Sequence, residues 1–473
     1  MRVLFVHSEE DYYSHEKPIE GYERMQFGIS YISSLLREHG HETRMVVPTP
    51  ETVDVVEEHI REFDPGLVGF TSVYSVYKFL ARVAARVKRS HPDLPLVVGG
   101  PHASLRPEEC LEGAFDIACV GEGEYPTLEL VERLEAGGEP SGIPNLFIKR
   151  GSEVEKNPPR PFNEDLEAVP FPDREMWMPW LANPLSRPSI LAGRGCPFQC
   201  TYCCNHALQR LADGRYVRVR SPENIAEEIL GIKRVLYLME EVYLEVETMG
   251  SDLDWAMEVC EALEGINRQF EVPIAYGSNL RVTPGRDYDE LFAAFARSNF
   301  RFINIGLESG SERVRREVLK RNYSNEDIVR TVRAARKHGL QVGLYNLIGL
   351  PGETKADFRD TVKVTRECRP DWYLLSVFFP YPGTVLHDRC KEMGLLDGAL
   401  DEVLERRRPV LDQPGFGKRA VQRRYHLSPL LFYGGYRPWH EVLWLAAMST
   451  IFSSPRLLRA WRAINKRFRP YNY

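Results

Sequence analysis

The sequence predicts an α/β protein: two strand–helix series followed by a mostly helical basic tail. Three observations predict it. Short apolar runs alternate with amphipathic stretches twice along the chain, and such alternation makes parallel sheets. A stretch rich in proline, with Pro158, Pro159, Pro161, Pro170, Pro172, Pro179 and Pro184, parts the two series. After Gly417 the basic residues Lys418, Arg419, Arg423, Arg424, Arg437, Arg456, Arg459, Arg462, Lys466, Arg467 and Arg469 face only Glu441 as an acid. At 473 residues the chain exceeds one ordinary core. Four regions are therefore expected: 1–150, a linker at 151–186, 187–400 and the tail 401–473.

In the first region "RVLFVH" reads as a buried strand and "FGISYISSLLREHG" as an amphipathic helix ending at Gly40. "ETRMVVP", "LVGFTS", "LPLVVGG" and "FDIACVG" continue as strands, with "SVYKFLARVAARVKRSH" and "YPTLELVERLEAG" as helices. This order predicts a doubly wound, Rossmann-like sheet, which takes ligands at the carboxyl ends of its strands. Residues 151–186 lack a sustained period and read as a surface-packed linker. From 187 onward, "SILAGR", "VYLEVE", "PIAYGS", "FINIGLE", "VGLYNLIG" and "WYLLSVFF" are six candidate strands. Between the first two lies "SPENIAEEILGIKRVLY", a helix whose start is marked by Ser221 as cap, Pro222 in the first turn and Glu223 at the positive dipole end. Six βα units predict an open, partial barrel with its chemistry at the strands' carboxyl ends.

Hydrophobic residues make up 43% and charged residues 27%, and the net charge is −6. That balance points away from a nucleic-acid partner. "MRVLFVHSEED" is too short in its apolar run for a signal peptide, and no apolar stretch is long enough to span a membrane. A cytoplasmic, reducing compartment is expected, where clustered cysteines bind metal or do redox work. Five of the nine cysteines, Cys110, Cys119, Cys260, Cys368 and Cys390, are scattered in apolar context and read as core residues. The other four stand together in "GRGCPFQCTYCCNH", residues 193–206. Cys196, Cys200 and Cys203 have the spacing C-x3-C-x2-C directly after the first strand of the second series. Three thiolates on one loop can converge on a soft metal. By spacing alone, zinc with Cys204 or His206 as fourth ligand competes with an iron–sulfur cluster. Cys204 adjoins Cys203, so both reach one ion only with strain, and Cys204 is left as a non-ligand.

Cys196, Cys200, Tyr202 and Cys203 resemble the signature of the radical S-adenosylmethionine (SAM) superfamily. The resemblance implies a four-iron four-sulfur cluster on the three cysteines, SAM on the fourth iron, and Tyr202 near the adenine. The cluster would cleave SAM to a 5'-deoxyadenosyl radical. In "VYLEVETMG", Glu245 and Glu247 stand where the family has an acidic motif for the SAM amine, with Glu-Val-Glu in place of paired aspartates. Two apart on a strand, they are expected on one face. "INIGLESGSERVRREVLKR" is similar to the family's fourth strand, with Glu308 and Ser309 at its end. "YNLIGLPGETKADF" is similar to the fifth, with the backbone around Gly349 cradling adenine, and "FFPYPGTVLHDRCKEMG" to the sixth. The similarity covers roughly residues 187 to 398.

"GFTS", "VVGGPHAS" and "VGEGEYPTLEL" end consecutive strands of the first region. Together they resemble the cobalamin-binding domain that precedes the barrel in one large subfamily. Ser72, Gly99, Gly100 and the loop Gly121, Glu122, Gly123 and Glu124 would line the tunnel for the nucleotide tail. The cobalt-ligating Asp-x-His-x-x-Gly is replaced by "HSEEDYYSHEKPIEGYERMQFG". Cobalamin without a protein histidine is thus implied, with His15 as a minor alternative to that, while Tyr12, Tyr13 and Tyr22 are expected over the corrin or the substrate entrance. A cobalamin-dependent radical SAM enzyme is therefore expected, most commonly a methyltransferase acting through methylcobalamin on an unactivated centre. Cyclising, ring-contracting and oxygen-inserting members are the alternatives within the subfamily, and a non-catalytic metal- or corrinoid-binding sensor is the alternative outside it. The implied partners are a small-molecule substrate, with a lipid or natural-product precursor in view, and a one-electron donor such as flavodoxin or ferredoxin. In the tail, "HEVLWLAAMSTIF" reads as an amphipathic helix packed over the barrel, continued by Leu457, Leu458 and Trp461 after Pro455. Peripheral membrane contact through that helix is the sharper alternative.

Overall fold

The computed structural model describes residues 1–396, 400, 405–454, 456–458, 460 and 461. Two compact units result: Met1–Cys196 with Cys204–Met239, and Pro197–Cys203 with Glu240–Tyr473.

The first unit is built on a seven-stranded sheet. Its strands run Glu42–Val46, Arg2–Val6, Leu67–Thr71, Leu96–Gly99, Ile117–Cys119, Leu146–Arg150 and Glu153–Lys156 across the sheet. The first five are parallel and the last two antiparallel. Side-chain alternation divides the core in two. Val3 and Phe5 join one cluster with the helix Phe27–Glu38. Leu4 and Val6 join the other, with the helices Asp54–Phe63 and Tyr74–Ser90. This is the doubly wound sheet that the sequence predicts. The helix Asp54–Phe63 is not among the expected elements, because its charges mask the apolar spacing of Val56, Ile60 and Phe63.

Residues 151–186 differ from the expected surface linker. Glu153–Lys156 extends the sheet, and Leu181–Asn183 pairs with Ile19–Gly21. Trp177 is fully buried and donates its indole N–H to Ser30 Oγ at 2.9 Å. Asp173 accepts from Ser33 Oγ and Arg37. The prolines end regular structure here but do not keep the segment off the core.

"SILAGR" forms the short strands Ser189–Leu191 and Gly193–Arg194 and groups with the first unit. So does the helix Pro222–Val235, where Ser221 Oγ accepts from the Asn224 N–H as expected. Its Glu228 is buried and paired with Arg174 at 2.6 Å and Arg220 at 2.5 Å.

The other five expected strands lie in the second unit. Glu241–Glu245, Ala275–Leu280, Phe300–Glu308, Gln341–Ile348 and Trp372–Val377 are consecutive and parallel. Helices Leu253–Asn267, Asp289–Arg297, Asn325–Lys337 and Lys355–Cys368 return the chain between them. Reciprocal capping boxes, Ser324 with Asp327 and Thr354 with Asp357, start the last two. The tail forms the helices Lys418–Tyr433 and Trp439–Phe452. Among residues of the latter only Val442 is buried, while Trp439, Leu443 and Trp444 are exposed. An apolar inward face with polar residues outside is therefore not what forms, because this stretch is apolar all round. Leu457 is exposed and Leu458 buried. Pro455, Arg459, Arg462, Lys466, Arg467 and Arg469 lie outside the described residues.

Candidate functional site

Two places in the fold gather the expected site residues, one in each unit. In the first unit a cavity of ≈ 310 Å³ opens where Thr71, Gly99 and the turn after Cys119 end their strands. This is the carboxyl edge of the parallel sheet, where doubly wound folds bind ligands. The volume is that of a small-molecule pocket. Gly99, Gly100, Gly121, Glu122, Gly123 and Glu124 line it, as expected. Gly100 has φ 95° and ψ 179°, and a Cβ there would lie 2.7 Å from Ser72 O. Ser72 itself is buried behind Gly100 and does not line the cavity.

His7, His15, Tyr12, Tyr13 and Tyr22 are also absent from the lining. His7 is buried edge-on against Trp177 and bonds to Glu9. His15 contacts Thr49, and Tyr12 donates to Glu51. Tyr22 is in the core and Tyr13 is exposed. The long loop after the first strand thus packs on its own unit, and the three tyrosines do not cover the cavity.

Glu122 holds more of the wall than sequence reasoning assigned to it. It accepts from Arg194 at 3.1 Å and pairs with Arg218 at 2.9 Å. Burial pushes its carboxyl up, but Arg218 and Arg194 outweigh that and hold it below the usual carboxylate range. Arg194 also donates to Glu124 at 2.5 Å and lies over the Tyr31 ring. Arg194 and Gly195, the two residues before Cys196, therefore form part of the cavity wall.

In the second unit the segment Pro197–Cys203 docks through Thr201. Its hydroxyl donates to Val318 O at 2.6 Å, and its carbonyl accepts from Leu386 N–H. Cys200 is buried, and two guanidiniums reach its sulfur: Arg281 Nη1 at 2.8 Å and Arg321 Nε at 3.4 Å. Arg281 also stacks on Phe198, 3.6 Å from the ring centroid. Arg321 pairs with Glu308 at 3.1 Å and faces the Tyr202 ring. Burial raises the Tyr202 hydroxyl well above its ordinary value. Glu308 is held at φ 60°, and a Cβ on Gly306 would come within 2.6 Å of its Oε1. Gly306 is what makes room for this ion pair.

Other expected residues fall differently. The strand carrying Glu245 ends there, so Glu247 lies beyond it and is exposed, and the shared-face argument does not hold. Ser309 is fully buried, its hydroxyl accepting from Ser311 N–H near Thr361. It belongs to the turn and not to an open site. Gly349, at φ 83°, donates its N–H to Glu353 Oε2 at 2.6 Å. Burial pushes the Glu353 carboxyl up to about 8, so at neutral pH it is mostly protonated as it ties this turn. Cys204 caps the short helix Asn205–Leu208 with its carbonyl. The five scattered cysteines are buried, with thiols pushed up to about 12 by burial, as core residues should be.

Sequence reasoning missed a polar ladder across four strands. Tyr243 OH donates to Asn279 Oδ1 at 2.6 Å, Asn304 Nδ2 to Tyr243 OH at 3.1 Å, and Trp372 Nε1 to Asn304 Oδ1 at 3.1 Å. Gly277 and Gly343 leave space for the Phe302 and Trp372 rings. The signal available was the asparagines Asn279 and Asn304 within two strands, since an amide carried into a sheet core is costly unless bonded.

The donor set fits the implied groups by chemistry. Three thiols follow each other on one loop, and Cys200 already sits among cations suited to a thiolate. Among the described residues no three of His, Cys, Asp and Glu are grouped tightly enough to hold one ion. The glycine-edged cavity suits a ligand, or part of one, that the backbone approaches closely.

Both regions of the chain resemble known proteins. Residues 190–365 match the radical SAM superfamily, and residues 21–131 match the B12 binding domain. An uncharacterized methyltransferase of Pyrococcus horikoshii is 28% identical over 368 residues, covering 76% of this chain and 77% of that protein. The anaerobic magnesium-protoporphyrin IX monomethyl ester cyclase of Rubrivivax gelatinosus is 25% identical, covering 83% and 70%. The radical SAM methyltransferase TsrM of Kitasatospora setae, solved with cobalamin and a [4Fe-4S] cluster, shares the fold with a TM-score of 0.66 at 18% identity, over 84% of this chain and 76% of that one.

Proposed function

We propose, on the premise that this chain is a cobalamin-binding radical SAM protein, that it transfers a methyl group to an unactivated centre of a small molecule. Its cofactors are a four-iron four-sulfur cluster, SAM and cobalamin. When bound, the cluster and SAM supply one-electron radical chemistry and cobalamin supplies a methyl carrier. Cys196, Cys200 and Cys203 would hold the cluster. The Gly99–Gly100 and Gly121–Gly123 turns would hold the corrinoid by close backbone approach. Glu308, oriented by its pairing with Arg321, is an acceptor suited to the SAM amine or ribose, and Tyr202 is a flat apolar wall suited to adenine. Glu245, at its strand end, is the other candidate acceptor. The observation that carries this reading is that Arg194 and Gly195, which lead into Cys196, line the first unit's cavity. On this reading the first cluster ligand follows directly in the chain after residues of the corrinoid pocket.

The test uses the full chain, anaerobically, with SAM deuterated in its methyl group, a flavodoxin or ferredoxin as one-electron donor, and a metabolite extract. The expected result is 5'-deoxyadenosine together with a deuterated one-carbon gain in one metabolite. Consumption of a metabolite with no label gained would replace methyl transfer by cyclisation, the reading that the similarity to the Rubrivivax gelatinosus cyclase supports. Neither 5'-deoxyadenosine nor any altered metabolite would remove the enzymatic reading in favour of a sensor.

Among the described residues no helix is long and apolar enough to cross a membrane. The location proposed is the cytoplasm, with the tail resting on an anionic lipid surface. Trp439, Leu443 and Trp444 are exposed, and after Phe452 the sequence carries Arg456, Arg459, Arg462, Lys466, Arg467 and Arg469 without an acid. Apolar burial and cation attraction add at such a surface, and a lipid substrate would use it. The wild-type protein is expected to sediment with phosphatidylserine vesicles at low salt. The triple variant Trp439→Glu, Leu443→Glu, Trp444→Glu should stay in the supernatant. Equal behaviour of the two proteins would discard the membrane contact.

A further inference from the structure

We infer that Arg281 is an electrostatic positioning residue for the iron–sulfur cluster, raising its reduction potential through Cys200. The inference rests on the cluster being held by Cys196, Cys200 and Cys203. Its grounds are the charges around one sulfur. Arg281 Nη1 and Arg321 Nε both reach Cys200 Sγ, at 2.8 and 3.4 Å. Arg321 is buried and already neutralised by Glu308 at 3.1 Å. Arg281 therefore leaves one net positive charge against the sulfur. A neutral thiol repays little of the cost of bringing a second guanidinium to a buried atom, whereas a thiolate on an electron-rich cluster repays it through a charge-assisted hydrogen bond.

The position is built and not incidental. The guanidinium carbon lies over the ring of Phe198, 3.6 Å from its centroid, within the loop between Cys196 and Cys200. The Arg281 backbone is fixed at both ends of the residue. Its N–H donates to Thr248 Oγ1 at 3.0 Å, and its carbonyl accepts from Tyr288 OH at 3.3 Å. The side chain thus holds a fixed charge beside a sulfur whose own charge grows when the cluster accepts an electron from the external one-electron donor. A fixed cation favours the reduced state, because the added negative charge is closer to it than to water.

The experiment reconstitutes wild-type, R281Q and R281K proteins anaerobically, measures iron per chain, and follows reduction by paramagnetic resonance at set potentials. R281Q is expected to keep iron and to be about tenfold less reduced at a given potential, equivalent to about 59 mV for one electron. R281K, which keeps the charge, should restore most of that shift. A purely structural arginine would lower iron in both variants without moving the potential. If R281Q takes no iron, retention of iron at near-wild-type potential in R281K supports the charge. Loss of iron in both variants, or a wild-type potential in R281Q, overturns it. Failure of the wild-type protein itself to take up iron would instead sink the cluster reading on which the inference stands.

Discussion

Alanine at Cys196, Cys200 or Cys203 is expected to remove the iron–sulfur cluster after anaerobic reconstitution, while Cys204→Ala is expected to keep near-full iron. Each of the first three changes deletes one of the three proposed protein ligands, and no further cysteine stands on the loop except Cys204. Cys204 belongs to a different piece of local structure. Its carbonyl accepts from Ala207 and Leu208 N–H at 2.9 Å each and starts the helix Asn205–Leu208. Cys203 is instead turned back on the loop, with its N–H bonded to Cys200 O at 3.1 Å. The measurement is iron per chain with the visible absorption of the reconstituted protein. Equal iron loss in Cys204→Ala would show that the ligand set is wrong and that a fourth thiolate takes part, as a zinc-type site would require.

Gly99→Phe is expected to weaken cobalamin binding strongly in a protein that keeps its stability, and Gly100→Ala to destabilise the fold. The two glycines are adjacent and line the same cavity, but their surroundings differ. At Gly99 an added Cβ would meet only Cys119 Cβ at 3.8 Å, an ordinary contact, so a larger side chain can enter the cavity. An affinity loss of about 100-fold or more, about 2.7 kcal/mol, is expected by titration with hydroxocobalamin. At Gly100 the φ of 95° is a conformation that costs a non-glycine residue about 1–3 kcal/mol, and Ser72 O stands 2.7 Å from the new Cβ. Melting temperature separates the cases: near wild type for Gly99→Phe, sharply lower for Gly100→Ala. Undiminished cobalamin affinity in a folded Gly99→Phe protein would move the corrinoid out of this cavity.

Much of the architecture is local and therefore legible in the chain. Strands such as Leu67–Thr71 and Gln341–Ile348 are apolar runs bounded by turn residues. The helix Pro222–Val235 announces its start through Ser221 and Pro222. These signals act within a few residues, so one-dimensional reading finds them. The cysteine spacing is equally local. The antiparallel strands Leu146–Arg150 and Glu153–Lys156 were not legible, because "EVEK" and the end of "LFIKR" are charged and leave too few apolar positions for an alternation to show. Nor was the burial of Trp177, whose partner Ser30 is 147 residues away.

Local sequence specifies the two strand–helix series, the glycine-rich turns at the ends of the first sheet's strands, and three thiols on one loop. Each follows from periodicity or spacing that neighbouring residues impose on one another. Only the tertiary structure decided which polar residues face those places. It withdrew Ser72 and Ser309 into the core, left Glu247 past its strand, and committed Glu122 to Arg194 and Arg218. It brought Arg281 and Arg321 to Cys200 across 81 and 121 residues of chain. Ion pairs of that kind carry no periodic signature. They form because a charge carried into the interior must find an opposite charge or an anion there, and folding alone settles which one is within reach.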